Sequence, residues 1–257
     1  MMRLLNTELR KILSYPTFWV FVILYTLLVL AIFCSIPAIR LPGPGMMFNL
    51  KSYYTFPDIW HTLTYLAGWF NLLLGVLVVI LITNEFTFRT VRQNIIDGWT
   101  VNEFLSAKVL LMVFMSVCST AFVFLLGLVY GLFASASISF TAIFNESSFV
   151  LAYFVQSLAY LCFALFMGTL FKKAGMGIIF FLLYSKIVEP LMSWPLPDYI
   201  SDYLPFHTIS KLISNPALQL AGMGEGNSPL GIHFIFAILY SSIFIFATYL
   251  LLTKRDN

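Results

Sequence analysis

The sequence predicts an all-α membrane protein with six transmembrane helices, and three observations carry that prediction. Hydrophobic residues make up 60% of the 257, charged residues only 10%, and mean hydropathy is +0.92; a soluble domain carries roughly 25% charged residues. The apolar residues gather into six runs, near 17–37, 62–83, 104–134, 148–171, 174–193 and 230–252, each close to or above the ~20 residues that cross a bilayer as a helix. Within lipid the backbone must satisfy its own hydrogen bonds, so each run is read as helix. No internal repeat divides them, and residues 1–257 read as a single transmembrane domain.

Residues 2–15 come first and are basic and amphipathic. Leu5, Leu9, Ile12 and Leu13 share one helical face, while Arg3, Asn6, Arg10 and Lys11 point elsewhere. Such a helix lies along the membrane surface with its cations near anionic headgroups; the alternative is a solvated charged tail. Pro16 separates it from the first span. A cleavable signal peptide is not expected, because the first apolar run is too long and lacks a small-residue cleavage site.

Lysine and arginine set the orientation. With the N-terminus inside and the spans alternating, Arg3, Arg10, Lys11, Arg89, Arg92, Lys108, Lys172, Lys173, Lys254 and Arg255 fall on the inner side. Arg40, Lys51 and Lys211 fall outside, and Lys186 lies within a span. The inner excess places both termini in the cytoplasm. The net charge of +3 is too small to point to nucleic acid.

Between the second and third spans lies a polar island. Phe88, Val91, Ile95 and Trp99 form one apolar stripe of a short helix over 86–99, with Thr90, Gln93, Asn94 and Asp97 opposite. Arg92 interrupts the stripe. Gly98 is a natural stop, and Thr100 with Glu103 has the spacing of a capping box at the start of the third span. A helix of this kind rests on the membrane surface or docks into a soluble partner.

The outer connections differ in character. Residues 38–61 contain the turn-rich Pro42–Gly45, and 135–147 lack lysine and arginine. In the long 194–229 segment, Phe206, Ile209 and Ile213 form one face of a short helix bracketed by Pro205 and Pro216, resting at the outer interface or dipping into it.

Inside the spans, Lys186 and Glu189 stand i, i+3, a spacing at which they can touch. They read either as a polar patch lining a substrate path or gate, or as a salt bridge snorkelling outward. Asn71 and Gln156 read as interhelical hydrogen-bonding groups, and Gly127 with Gly131 as a close-approach pair, within or between chains. Cys34, Cys118 and Cys162 lie in apolar runs, and His61, His207 and His233 are scattered; neither set has metal-ligand spacing. No phosphate loop, zinc-protease helix or nucleophile elbow is present, so the chain is not expected to be an enzyme by itself.

An amphipathic helix running into the first span, a second span ending in Asn84-Glu85-Phe86, then Arg89-Thr-Val-Arg92, Gly98 and Glu103-Phe-Leu-Ser-Ala-Lys108: this layout resembles the permease subunit of ABC-2-type transporters, of the small six-span kind encoded apart from its ATPase. Val101-Asn102 departs from a common pattern in which an arginine stands there. The resemblance implies that 86–99 is a coupling helix seated in a cleft of a separate ATP-binding subunit. Glu85, Phe88, Arg89, Val91, Arg92, Asn94, Ile95, Asp97 and Trp99 would be the coupling residues, and Lys172 and Lys173 a second cytoplasmic contact. It implies a second permease subunit, identical or related, and no cofactor on this chain, ATP and magnesium being bound by the partner ATPase. It also implies residence in a bacterial inner membrane, export, and re-entrant outer helices within 194–229; the apolar walls of the spans suit a hydrophobic or amphipathic substrate. The rival reading is a non-transporting membrane anchor or sensor subunit of a cytoplasmic complex, which the 86–99 helix fits equally well.

Overall fold

The computed structural model describes residues 2–35, 54–90, 93, 98–135, 139–216 and 231–254. Among them every regular element is helical. In order these are α1 (Met2–Leu13), α2 (Pro16–Ser35), α3 (Ile59–Gly68), α4 (Asn71–Thr87), α5 (Val101–Ala134), α6 (Phe140–Phe144), α7 (Ser148–Phe171) and α8 (Ala174–Leu183). A π turn (Tyr184–Val188), α9 (Glu189–Ser193), α10 (Asp198–Ser201), α11 (Pro205–Lys211) and α12 (Ile232–Thr253) complete the chain. Six stretches are long and apolar enough to cross a membrane: α2, α3 with α4, α5, α7, α8 through α9, and α12. This is the make-up of a multi-pass membrane protein.

The axis of the bundle is α7. Of its most apolar stretch 72% is buried, against 17% in α2 and 22% in α12, and α3, α4, α5, α8 and α12 all pack on it. Small residues on several sides, among them Ala152, Ala159, Ala164 and Gly168, let neighbours close in. Tyr153 and Phe163 fill the remaining space, Phe163 with the rings of Phe181, Tyr184, Phe206 and Phe244 around it.

The second span is divided into two helices where the sequence showed one apolar run. Trp69 and Phe70 donate to Leu66 (3.3 Å) and Ala67 (3.0 Å), bonds to the third residue back instead of the fourth. This tightened turn separates α3 from α4 and sets Asn71, fully buried, at the head of α4.

The third span starts at Val101 behind a complete capping box. The Glu103 N–H donates to Thr100 Oγ1 (3.2 Å) and the Thr100 N–H to Glu103 Oε2 (2.9 Å). Gly98, at φ +92°, makes the left-handed turn just before it. Farther along, Gly127 and Gly131 admit the Trp60 and Phe56 rings; a Cβ would stand 2.7 Å and 2.5 Å from them. The pair packs within the chain.

The fifth span contains the π turn. Pro190 has no N–H to give the carbonyl of Lys186, and its ring would clash there. The turn before it widens, with Glu189 N–H donating five residues back to Tyr184.

The expected helix over 86–99 begins differently. Phe86 and Thr87 still belong to α4, and Arg89, at φ +56°, breaks the run with a conformation uncommon outside glycine. Gln93 is helical and exposed. Val91, Arg92, Asn94, Ile95 and Asp97 lie outside the described residues, as do 217–230 of the 194–229 segment.

Candidate functional site

Two groups of polar residues stand at opposite ends of the bundle, and a third joins its middle. The first lies where α1 meets the roots of the 86–99 segment. Lys108, two turns into α5, is 2% exposed, and its ammonium donates to the carboxylates of both Glu8 and Glu85. Glu8 is 1% exposed and also takes Lys11 at 3.1 Å. Two acids and two bases close a neutral cluster, and the Phe104 ring lies 5.1 Å from the Lys108 amine. Burial alone would raise the Glu8 carboxyl; the ammoniums of Lys108 and Lys11 outweigh it and hold Glu8 below its ordinary value. Glu85 keeps one oxygen buried without a hydrogen-bond partner.

The cluster has outriders. Asn84 Nδ2 donates to the Tyr15 hydroxyl at 2.8 Å, tying the end of α4 to the α1–α2 junction. Lys172 closes α7 in a left-handed conformation, and its amine stands 4.8 Å from the Phe86 ring. Lys173 is exposed. So Glu85 and Lys172 are brought to one end of the bundle. Phe88 and Arg89 are exposed beside them, and Trp99 is half-buried. Sequence reading missed Glu8 and the role of Lys108. The signal was present: Glu8 falls with Leu5, Leu9 and Ile12 on the apolar face of α1, and Lys108 lies in an apolar run, both positions where a charge demands a partner.

In the middle, the Tyr153 hydroxyl is a hub. It meets Tyr25 Oη (2.6 Å) and Ser119 Oγ (2.8 Å) and donates to Asn71 Oδ1 (3.1 Å). Four spans are thereby joined by hydroxyl and amide groups inside the apolar core. Gln156 links helices as well, donating to the carbonyl of Ile209 at 3.1 Å.

At the far end, Lys186 and Glu189 do not pair, contrary to the spacing. The π turn between them rotates one away from the other. The Lys186 amine rests 4.8 Å from the Trp69 ring. Glu189, 2% exposed, turns inward and accepts the His207 N–H at 2.6 Å and the Phe206 N–H as well. These are N–H groups of the first turn of α11, free of intrahelical partners, and a carboxylate is what a helix N-terminus favours. Phe206, Ile209, Leu212 and Ile213 bury the other face of this segment. Gln156, which bonds to Ile209, stands two turns inside α7, so α11 dips about 12 Å into the bundle. Asp202, held below the ordinary carboxylate range by a hydrogen bond from Lys211 at 2.6 Å, braces the loop before α11.

Among the described residues no group of three or more His, Cys, Asp or Glu side chains converges as a metal site. No protein-family profile matches the chain, and no curated protein matches it either.

Proposed function

We propose that this chain is the permease subunit of an ABC-2-type transporter, driven by a separate ATP-hydrolysing subunit. The observation that supports this best is the cluster of Glu8, Glu85 and Lys108. Glu85 stands in the last turn of α4, two residues before it ends at Thr87, and the chain re-enters the bundle at the start of α5, seven residues before Lys108. The two roots of the 86–99 segment are clamped to each other and to α1 by buried ion pairs. A push on that segment reaches two spans and the N-terminal helix together, which is what a coupling helix requires. The link from Lys172 to Phe86 offers a second path for the same force.

On this reading α1 lies along the inner leaflet, both termini are cytoplasmic, and α11 caps the outer end of the substrate path. Two such permeases, identical or related, enclose the path. Nucleotide binding closes the ATPases, the 86–99 helices move with them, and the bundles rock from inward- to outward-open. The cargo shifts that equilibrium only by its different affinity for the two states.

The test is purification of the chain from its native membrane, with identification of what accompanies it. A phosphate-loop ATPase is expected, released when Glu85 to Trp99 is replaced by a Gly/Ser linker. Recovery of a cytoplasmic complex without any ATPase would favour the anchor reading. Labelling of an Asn94→Cys variant only from outside intact cells would overturn both.

A further inference from the structure

The far end carries a recess of about 210 Å³, lined by Gly68, Trp69, Gln156, Tyr160, Lys186 and Ser210 among others. It has room for roughly seven waters, or for a compact polar head. Three features distinguish it. Lys186 is exposed, about 10 Å below the far end of its span, and among the described residues it has an aromatic neighbour but no carboxylate. A bare ammonium at that depth is costly. Gln156 is buried (6% exposed); its Nε2 bonds the Ile209 carbonyl, and its Oε1 has no hydrogen-bond partner. Ser210 Oγ donates its proton to the His207 carbonyl at 2.9 Å, leaving its lone pairs free. The recess thus offers one cation and two acceptors.

Its surroundings are apolar. Trp69, on the second span, is 58% exposed beside it, and Ile179 and Leu182 are exposed on the fifth span, which also carries Lys186. The polar recess lies near one end of the bundle and the exposed Leu182 and Ile179 stand about one and two turns farther in along the Lys186 helix, the order of a lipid head and its tail.

We infer that this recess binds the head of an anionic amphiphile. Its negative group meets Lys186, a hydroxyl or N–H of the head donates to Gln156 Oε1, and the tail follows Ile179 and Leu182. The inference stands apart from the transport proposal, since binding needs neither an ATPase nor turnover. The same chemistry serves a resident lipid and a passing cargo.

The test uses the full chain, purified in a neutral detergent and titrated with phosphatidylglycerol, phosphatidylcholine, a long-chain fatty acid and inorganic phosphate. Saturable binding of phosphatidylglycerol is expected, at least tenfold tighter than phosphatidylcholine. The preference should be lost in Lys186→Gln and kept in Lys186→Arg, each checked for helicity and monodispersity. Gly68→Ala, whose Cβ would stand 2.7 Å from Gln156 Oε1, should weaken it without touching the charge. Phosphatidylglycerol surviving purification marks a resident lipid; binding only of what is added, fatty acid included, marks a cargo, and either supports the site. Equal binding by Lys186→Gln, or phosphate alone binding as well as the lipid, would overturn it. Should the variants fail to fold, bromine-labelled phosphatidylglycerol must quench the wild-type Trp69 emission, taken as the difference from Trp69→Phe, more than labelled phosphatidylcholine does; equal quenching overturns it too.

Discussion

Lys108 and Glu8, a hundred residues apart, form a buried ion pair that fastens the N-terminal helix to the third span. Glu85 completes it from the second. Breaking a buried pair costs about 3–5 kcal/mol, because the remaining charge is left without compensation, whereas replacing all partners by apolar groups is often neutral. Lys108→Met should therefore lower thermal stability in detergent by several degrees or more. The triple variant Glu8→Leu, Glu85→Gln, Lys108→Met should recover most of it. A triple variant no more stable than the single one would show that the cluster is not an isolated electrostatic unit.

The same carboxylate makes the seating of α1 dependent on pH. Its folded value lies below the ordinary 4.5, so the unfolded or undocked state binds the proton more readily. The stabilisation is then fully present above that ordinary value and is lost as pH falls through the depressed one. A spin-label distance from α1 to α5 should be constant from neutral pH down to about 5 and lengthen below it. Glu8→Gln should abolish the acid step. A step that persists in Glu8→Gln belongs to another group.

Glu189 supplies a different kind of anchor. It caps α11 from another helix, and its removal leaves two buried N–H groups without acceptors, at about 1–3 kcal/mol for such a loss. Glu189→Ala should speed hydrogen exchange at Phe206 and His207 by about 10- to 100-fold. Glu189→Gln keeps one acceptor and should show a smaller effect. Unchanged exchange in Glu189→Ala would mean that the apolar face of Phe206 and Ile209 holds α11 unaided.

Particular residues show what was legible in the sequence. The apolar runs located six spans because in lipid only helices satisfy the backbone. Thr100 and Glu103 marked a helix start because caps depend on neighbours a few residues away. Lys186 and Glu189 misled, since i, i+3 contact assumes α geometry and Pro190 imposes a π turn. Glu8 with Lys108 stayed hidden for the opposite reason: nothing local relates positions a hundred residues apart, and only the packing of α1 across α5 joins them. The Tyr153 hub is of the same kind, four spans meeting at a hydroxyl that looks ordinary in its own run.

The hub has a predictable weight. Tyr153→Phe removes one oxygen and leaves Asn71 Oδ1, Ser119 and Tyr25 to rearrange in a dry core. Side-chain hydrogen bonds between membrane helices average about 0.6 kcal/mol, with a maximum near 1.7. Tyr153 holds three, so a loss of about 1–3 kcal/mol is expected, no larger than that from Lys108→Met. Thermal unfolding of the two variants side by side in one detergent gives the ranking. The hub spans four helices while the ion cluster spans three, yet the hydroxyls are neutral and tolerate an unmet bond, whereas Glu8 and Glu85 cannot lose their cation without a charge standing alone. A Tyr153→Phe variant markedly less stable than Lys108→Met would reverse that ranking and place the main restraint on the bundle in its middle.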